Sequence, residues 1–320
     1  MSDYKKYYGG KILRNSLIKT IPKMCLGAVL FARIIHRKEN THYLFCPPTL
    51  GDSILAFSYL SEFKRQRNIS HVTVVCTPNY VQRLCNYFPD AVDDVFCMKK
   101  WKLGALREFV GSKLGQYYSC LYIDRMTFVF LTCNAHLRTL WDNPVISYPL
   151  YAKAMLYKIS LASQPKRPKI PEADISDYIS KFKLKKGRTV LLNPKANTVC
   201  CDVLKLLEAT VMELTARGYT VVTLTENDLE RPIRGTQAIP CNLEEAFSLV
   251  SYGGILIGLR SGFMDVMVYA NCKIITIDDK DYGFKSFFSL ERLGVNPDCH
   301  TITYDGNNDA AIREIIQILM

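Results

Sequence analysis

The sequence predicts an α/β protein of two successive domains, each a parallel sheet covered by helices on both faces. Three observations predict it. Short apolar runs rich in β-branched residues alternate with segments of helical periodicity, the pattern of repeated strand–helix–strand units. The alternation stops at Ser163-Gln-Pro-Lys-Arg-Pro-Lys-Ile-Pro171 and then restarts. There, three prolines with basic residues between them read as a stiff exposed linker. Finally, the chain has 320 residues and is 48% hydrophobic, which suffices for two cores of ordinary size. The expected organisation is a basic segment at 1–40, a first domain at 41–162, the linker at 163–171 and a second domain at 172–320.

In the first domain, His42–Cys46 reads as a strand. Gly51–Gln66 reads as a helix, with Ile54, Leu55, Phe57, Leu60 and Phe63 at helical spacing. Strands follow at His71–Cys76, Val92–Cys97 and Cys120–Ile123, separated by helices at Asn79–Tyr87 and Leu103–Leu114. Residues 134–162 read as helical, with an extended break near Val145–Tyr148. In the second domain, strands are expected at Thr189–Leu192, Tyr219–Leu224, Ala238–Cys241, Ile255–Ile257 and Lys273–Ile277. Helices are expected at Cys201–Arg217, ended by Gly218, at Leu243–Ser251 behind the cap Asn242, at Gly262–Ala270 and at Asp309–Leu319. Two such domains in series put a cleft between the carboxyl ends of two sheets, where open α/β sheets bind ligands.

The stretch from Gly253 to Ala270 is the richest in chemistry. The buried-strand run Ile255-Leu-Ile257 breaks at Gly258, and Arg260, Ser261 and Gly262 fill the turn before a helix. Ser261 suits the N-cap. Free backbone N–H groups at such a turn, beside the planar donors of Arg260, suit a phosphate or diphosphate; the alternative is an ordinary turn with Arg260 in solvent. Asp265 falls in the first helical turn and reads as a helix-start acid rather than a catalyst, since an anion beside a diphosphate repels it.

Further candidates lie in the other turns. Gly51 permits a tight turn, and Asp52 and Ser53 start the helix beyond it, so Asp52 is either a general base or an N-cap. Lys195 in Asn193-Pro-Lys195 is a phosphate contact or a solvated lysine. Glu226 accepts from a ribose or simply closes a turn. Asp124 and Arg125 line the cleft or pair with each other. Asp279-Lys-Asp281 matches a bare DxD and reads better as a polar loop than as a metal site.

Other classes are excluded by absence of their motifs. There is no GxxxxGK[ST], no GxGxxG after the first strand and no GxSxG elbow. The twelve cysteines are scattered without CxxC or zinc spacing, which indicates free thiols in a reducing compartment. Of the net charge of +11, residues 1–38 hold +8, nine basic residues against Asp3. The apolar run Met24–Ala32 is too short to span a bilayer, so the segment is read as docking on an anionic membrane surface, with no nucleic-acid partner.

Taken together, these residues resemble the bacterial glycosyltransferases of the GT-B type, in particular the heptosyltransferase-like group that builds lipopolysaccharide and capsule. The resemblance covers about residues 41–320. It rests on Leu50-Gly51-Asp52-Ser53 with its helix, on Asn193-Pro-Lys195, and on Gly258-Leu-Arg-Ser-Gly262 with the helices beside it. It implies two Rossmann-like domains facing a central cleft, a nucleotide-sugar donor, and a glycan or lipid-linked acceptor. It also implies Asp52 as the base and Lys195, Arg260, Ser261 and Gly262 at the donor; from their places at the strand ends, Glu226 is added to the donor side, and Gly51, Ser53, Asp124 and Arg125 are put on the acceptor side. No metal or other cofactor is expected, and the location is cytoplasmic at the inner face of the cell membrane. The family has Asp-Thr-Gly followed by a His where this chain has Leu-Arg-Ser-Gly-Phe-Met-Asp, a departure that leaves the donor sugar open between hexose and heptose. Two other readings remain: a polyol-phosphate or other transferase on the same fold, and a non-catalytic nucleotide- or glycan-binding relative.

Overall fold

The computed structural model describes residues 17–35, 41–46, 49–78, 80–111, 125–128, 145–196, 203–227, 229–279 and 287–320. By contacts the chain divides into two compact units, one from residues 1–48 and 63–129 and the other from residues 49–62 and 130–320.

The first unit holds a four-stranded parallel sheet in the order β3-β2-β1-β4. Its strands are β1 (Thr41–Phe45), β2 (His71–Cys76), β3 (Asp94–Cys97) and β4 (Met126–Phe128). β1 and β2 pair in register from Thr41↔His71 to Phe45↔Val75. Every residue of β1 is buried, as expected of a strand covered on both faces. The helices are α1 (Leu17–Ile35), α2 (Leu50–Arg67), α3 (Tyr80–Cys85) and α4 (Lys100–Gly111), with the first part of α2 grouped in the second unit. The strand expected at Cys120–Ile123 lies outside the described residues, as do residues 134–144; the fourth strand described is β4, further along the chain.

The second unit holds a six-stranded parallel sheet in the order β10-β9-β8-β5-β6-β7. Its strands are β5 (Thr189–Asn193), β6 (Thr220–Thr225), β7 (Gln237–Pro240), β8 (Gly254–Leu259), β9 (Lys273–Asp279) and β10 (Cys299–Tyr304). Counted within the unit, this is the 3-2-1-4-5-6 order of a doubly wound nucleotide-binding sheet, whose direction of winding reverses between β5 and β8. Val190, Leu192, Ile255, Ile257, Ile275 and Ile277 from the strands pack with Leu206, Leu207, Val211 and Leu214 from a helix (Leu204–Ala216) and with Ile315 and Ile316 from the terminal helix (Asn308–Leu319). Each such side chain, fully removed from water, contributes about 1.5–3 kcal/mol.

Local chemistry sets the ends of these elements. Asn242 accepts from the N–H groups of Glu244 and Glu245 while Glu245 accepts from the N–H of Asn242, a complete capping box ahead of the helix Leu243–Gly253. Gly254 ends that helix at φ +87, a conformation glycine adopts without strain. Two elements carried no sequence signal. The helix Ser176–Phe182 buries none of its residues and so shows no apolar stripe. β10 lies at the sheet edge with only Cys299 and Ile302 fully buried, too few for an apolar run. The segment expected to be an exposed linker is tied down: the Lys166 N–H donates to Ser58 O (2.7 Å), and Arg167 donates to Tyr269 O (3.1 Å) and Val295 O (3.0 Å).

Candidate active site

Every residue of this site belongs to the second unit, and it is built where the winding of that sheet reverses. β5 ends at Asn193 and β8 ends at Leu259, side by side. The two backbones approach so closely that a Cβ on Gly258 lies 2.3 Å from Asn193 O, so only glycine fits. Asn193 Nδ2 donates to Ser261 Oγ (3.3 Å) and to Lys195 O (3.4 Å), which joins the turn after β5 to the turn after β8. Ser261 stands at the N-cap position of the helix Gly262–Met267, in extended conformation, but its side chain makes no capping bond.

Arg260 is not a solvent-facing fork. It is 9% exposed. Its Nε and Nη2 donate to Phe288 O (3.2 and 3.1 Å), and Nη1 donates to Ser261 O (3.0 Å). Nη2 also pairs with Asp265 Oδ1 at 2.5 Å. The guanidinium therefore ties the turn, the short helix and the Phe287-Phe288 segment together. Behind that segment the Tyr148 N–H donates to Phe287 O (2.8 Å), and the Tyr148 ring stacks on Phe288 with centroids 5.9 Å apart. Asp265 is buried as the partner of Arg260, a role its place in the first helical turn does not disclose.

The start of α2 completes the site. A Cβ on Gly262 lies 3.0 Å from the Gly51 nitrogen, and a Cβ on Gly51 lies 2.0 Å from Asp265 Oδ2. Two glycines thus let two helix starts meet. α2 begins at Leu50, so Asp52 is its third residue and not the N-cap; Thr49, just before the helix, donates its hydroxyl to Asp52 Oδ2 at 2.8 Å. Burial raises the Asp52 carboxyl to about 6, against the opposing Thr49 hydrogen bond; the nearby Asp265 raises it further and Arg260 lowers it. A carboxylate that titrates near neutrality suits a general base. Ser53 is fully buried.

Lys195 pairs with Glu230, and Glu230 Oε2 accepts from the Glu226 N–H at 3.0 Å. Glu230 therefore links the two exposed candidates, and the hydrogen bond from Lys195 holds its carboxyl below the usual range. Sequence reasoning missed Glu230, Thr49 and Tyr148. Only Thr49 had a signal, in the Thr-x-x-Asp spacing of a capping box. Arg125 falls in the first unit, Asp124 and Asp281 lie outside the described residues, and Asp279 ends β9. Among the described residues, no three His, Cys, Asp or Glu side chains are grouped so as to hold a metal ion. Among them, too, no helix is long and apolar enough to cross a membrane.

Two parallel α/β sheets, the second doubly wound with polar groups at its point of reversal, make the fold one of GT-B type, as in the solved structures that follow. The chain is similar in structure to the E. coli ADP-heptose lipopolysaccharide heptosyltransferase II, with a TM-score of 0.58 and 13% identity over 87% of this chain and 98% of that one. It is likewise similar to a glycosyl transferase of family 9 from Veillonella parvula, with a TM-score of 0.57 and 12% identity over 87% and 97% of the two chains. A third similar structure is the iron-containing dodecameric glycosyltransferase TibC of enterotoxigenic E. coli, with a TM-score of 0.52 and 12% identity over 83% of this chain and 63% of that one. At these identities the likeness is one of fold. No protein-family model matches the chain, and no curated protein matches it by sequence.

Proposed function

We propose that this chain is a glycosyltransferase. In this reading it moves a sugar from a nucleotide-sugar donor to a hydroxyl of a lipid-linked or surface-glycan acceptor, with inversion. One observation carries the reading: Asp52, its carboxyl raised to about 6, sits against the turn at which β8 leaves the sheet, beside Arg260 and Asp265. Asp52 takes the proton of the acceptor hydroxyl. The oxygen attacks the anomeric carbon, and the sugar–phosphate bond breaks with its electron pair on the departing nucleoside diphosphate. Lys195 and the backbone N–H groups at Ser261 and Gly262 face the developing charge, and Glu226 accepts from the ribose. Arg260 serves by holding the turn in shape, because its donors are already engaged by Phe288, Ser261 and Asp265. Preorganised donors of this kind supply the electrostatic stabilisation that the leaving group needs, without a metal.

The similar heptosyltransferase II is named for ADP-heptose, which supports a nucleoside diphosphate sugar as the donor class. Arg260 and Asp265 stand in this chain where the family's Asp and His are expected, so the donor sugar is left open between a hexose and a heptose. Gly51 and Ser53 are buried and shape the turn rather than touch an acceptor, and the protein docks peripherally on the inner face of the membrane through residues 1–38. A thermal-shift panel of nucleoside diphosphates and their sugars tests the donor site, since ligand binding raises the unfolding midpoint by mass action. Turnover is then followed with each stabilising sugar, before and after chelation. Undiminished turnover by Asp52→Asn removes Asp52 from the mechanism, and turnover lost on chelation overturns the metal-free reading.

A further inference from the structure

We propose that helices α1 and α4 of the first unit form one docking surface for anionic lipid, with Trp101 as its interfacial anchor. This rests on the membrane reading of the basic N-terminal segment and carries it to a second element far along the sequence. The two helices are packed as one piece. A Cβ on Gly27 of α1 lies 2.3 Å from Ala105 O and 2.6 Å from Phe109 Cβ of α4, so glycine is what allows the approach. Phe31 meets Phe109 edge to face at 5.5 Å, and Lys23 pairs with Glu108 at 3.2 Å. α1 is therefore seated on the body of the unit, and its lysine compensates an acid of α4.

The two helices carry exposed cations and exposed apolar groups. Trp101 is 58% exposed in the first turn of α4. Lys99 and Lys100 beside it are exposed, and Lys102 holds its Nζ 5.5 Å from the Trp101 ring centroid. α1 adds Ile21 at 56% and Val29 at 50% exposure. A bulky indole kept at the surface among lysines has the character of a side chain at a membrane interface, where the ring meets the acyl boundary and the cations meet phosphate. The exposed Ile21 and Val29 favour lipid over a nucleic acid, because aliphatic groups gain nothing against bases or phosphates, whereas they gain from burial in acyl chains. The charge has the right sign: Lys99, Lys100 and Lys102 follow one another around Trp101, with no acid among residues 98–104.

The full chain carrying Trp141→Phe leaves Trp101 as the only tryptophan, so its emission reports this site alone. It is mixed, without any donor sugar, with vesicles of phosphatidylcholine or of equimolar phosphatidylcholine and phosphatidylglycerol. The expected result is a blue shift of Trp101 and co-sedimentation with the anionic vesicles only. Trp101→Ala weakens sedimentation several-fold. The triple change Lys99→Gln, Lys100→Gln and Lys102→Gln weakens it by about fivefold per lysine that contacts the surface. Thermal unfolding of both variants is unchanged, since these side chains project from the fold. The proposal is overturned if the emission stays unshifted while the protein still sediments, because other residues then carry the docking. It is also overturned if the shift appears with single-stranded nucleic acid and not with vesicles. Neither outcome touches sugar transfer, which is assayed separately with a soluble acceptor.

Discussion

Asp265 Oδ2 stands in the space that a side chain on Gly51 would occupy: a Cβ there falls 2.0 Å from it. The oxygen cannot readily swing aside, because Asp265 is pinned through Oδ1 by the buried Arg260. Gly51→Ala is thus expected to destabilise the protein by about 1–3 kcal/mol through overpacking, outweighing the helix propensity of alanine. Differential scanning calorimetry reads this as a lowered Tm, by about 2–4 °C per kcal/mol in a protein of this size class. A raised Tm would show that the two helix starts have room to spare.

Asp52→Asn is expected to lower kcat by about 10²–10⁴ while the midpoint shift given by a bound donor is retained, as for a general base that does not hold the nucleotide. The wild-type kcat/KM is expected to rise with pH through about 6 and to fall about tenfold per unit below it, because the base must be ionised. Stability moves the other way. The Asp52 carboxyl is raised from 3.8 to about 6 in the folded protein, so between these values the folded state keeps a proton that the unfolded chain releases. Its contribution to stability therefore falls as pH rises through that window, and Asp52→Asn is expected to remove this slope from chemical-denaturation curves measured across it.

Asp265→Asn removes one partner of a buried ion pair and leaves Arg260 without its counter-charge. A loss of about 3–5 kcal/mol is expected in denaturant titrations. The acid limb of the pH–rate profile is expected to shift to lower pH, since Asp265 raises Asp52 and its loss leaves Arg260 unopposed. A limb that stays in place would mean that the Asp265 charge is not felt at Asp52.

Lys195→Ala breaks an exposed pair with Glu230, and such pairs are worth about 0–1 kcal/mol, so the Tm is expected to stay nearly constant. Donor binding by calorimetric titration is expected to weaken about tenfold, equivalent to about 1.4 kcal/mol. Unchanged affinity would leave Lys195 as a surface lysine, with the turn at Ser261 as the remaining phosphate contact.

Much of the fold was legible because strands and helices announce themselves through local periodicity. His71–Cys76 was read to the residue, and Asn242 was read as the cap of its helix. Elements without a buried face were not legible, as Ser176–Phe182 shows. Of the site, Asp52, Lys195 and the Arg260-Ser261-Gly262 turn were visible as polar residues at strand ends. What each side chain does there was not visible. Arg260 reads as a free donor in the sequence, yet in the fold it is bound by a backbone carbonyl 28 residues away.

The sequence by itself determined the succession of strand–helix units, the glycines at the tight turns and the charge concentrated in residues 1–38. All of these depend on neighbours along the chain. Only the tertiary structure decided which of the charged groups face one another. Pairing β5 with β8 brings Asn193 to Ser261, and packing α2 onto the helix Gly262–Met267 brings Asp52 to Asp265 and Arg260. The physical reason is range. Helix and strand formation follow from nearby side chains, whereas the ionisation of Asp52 depends on burial and on charges more than 200 positions away in the sequence.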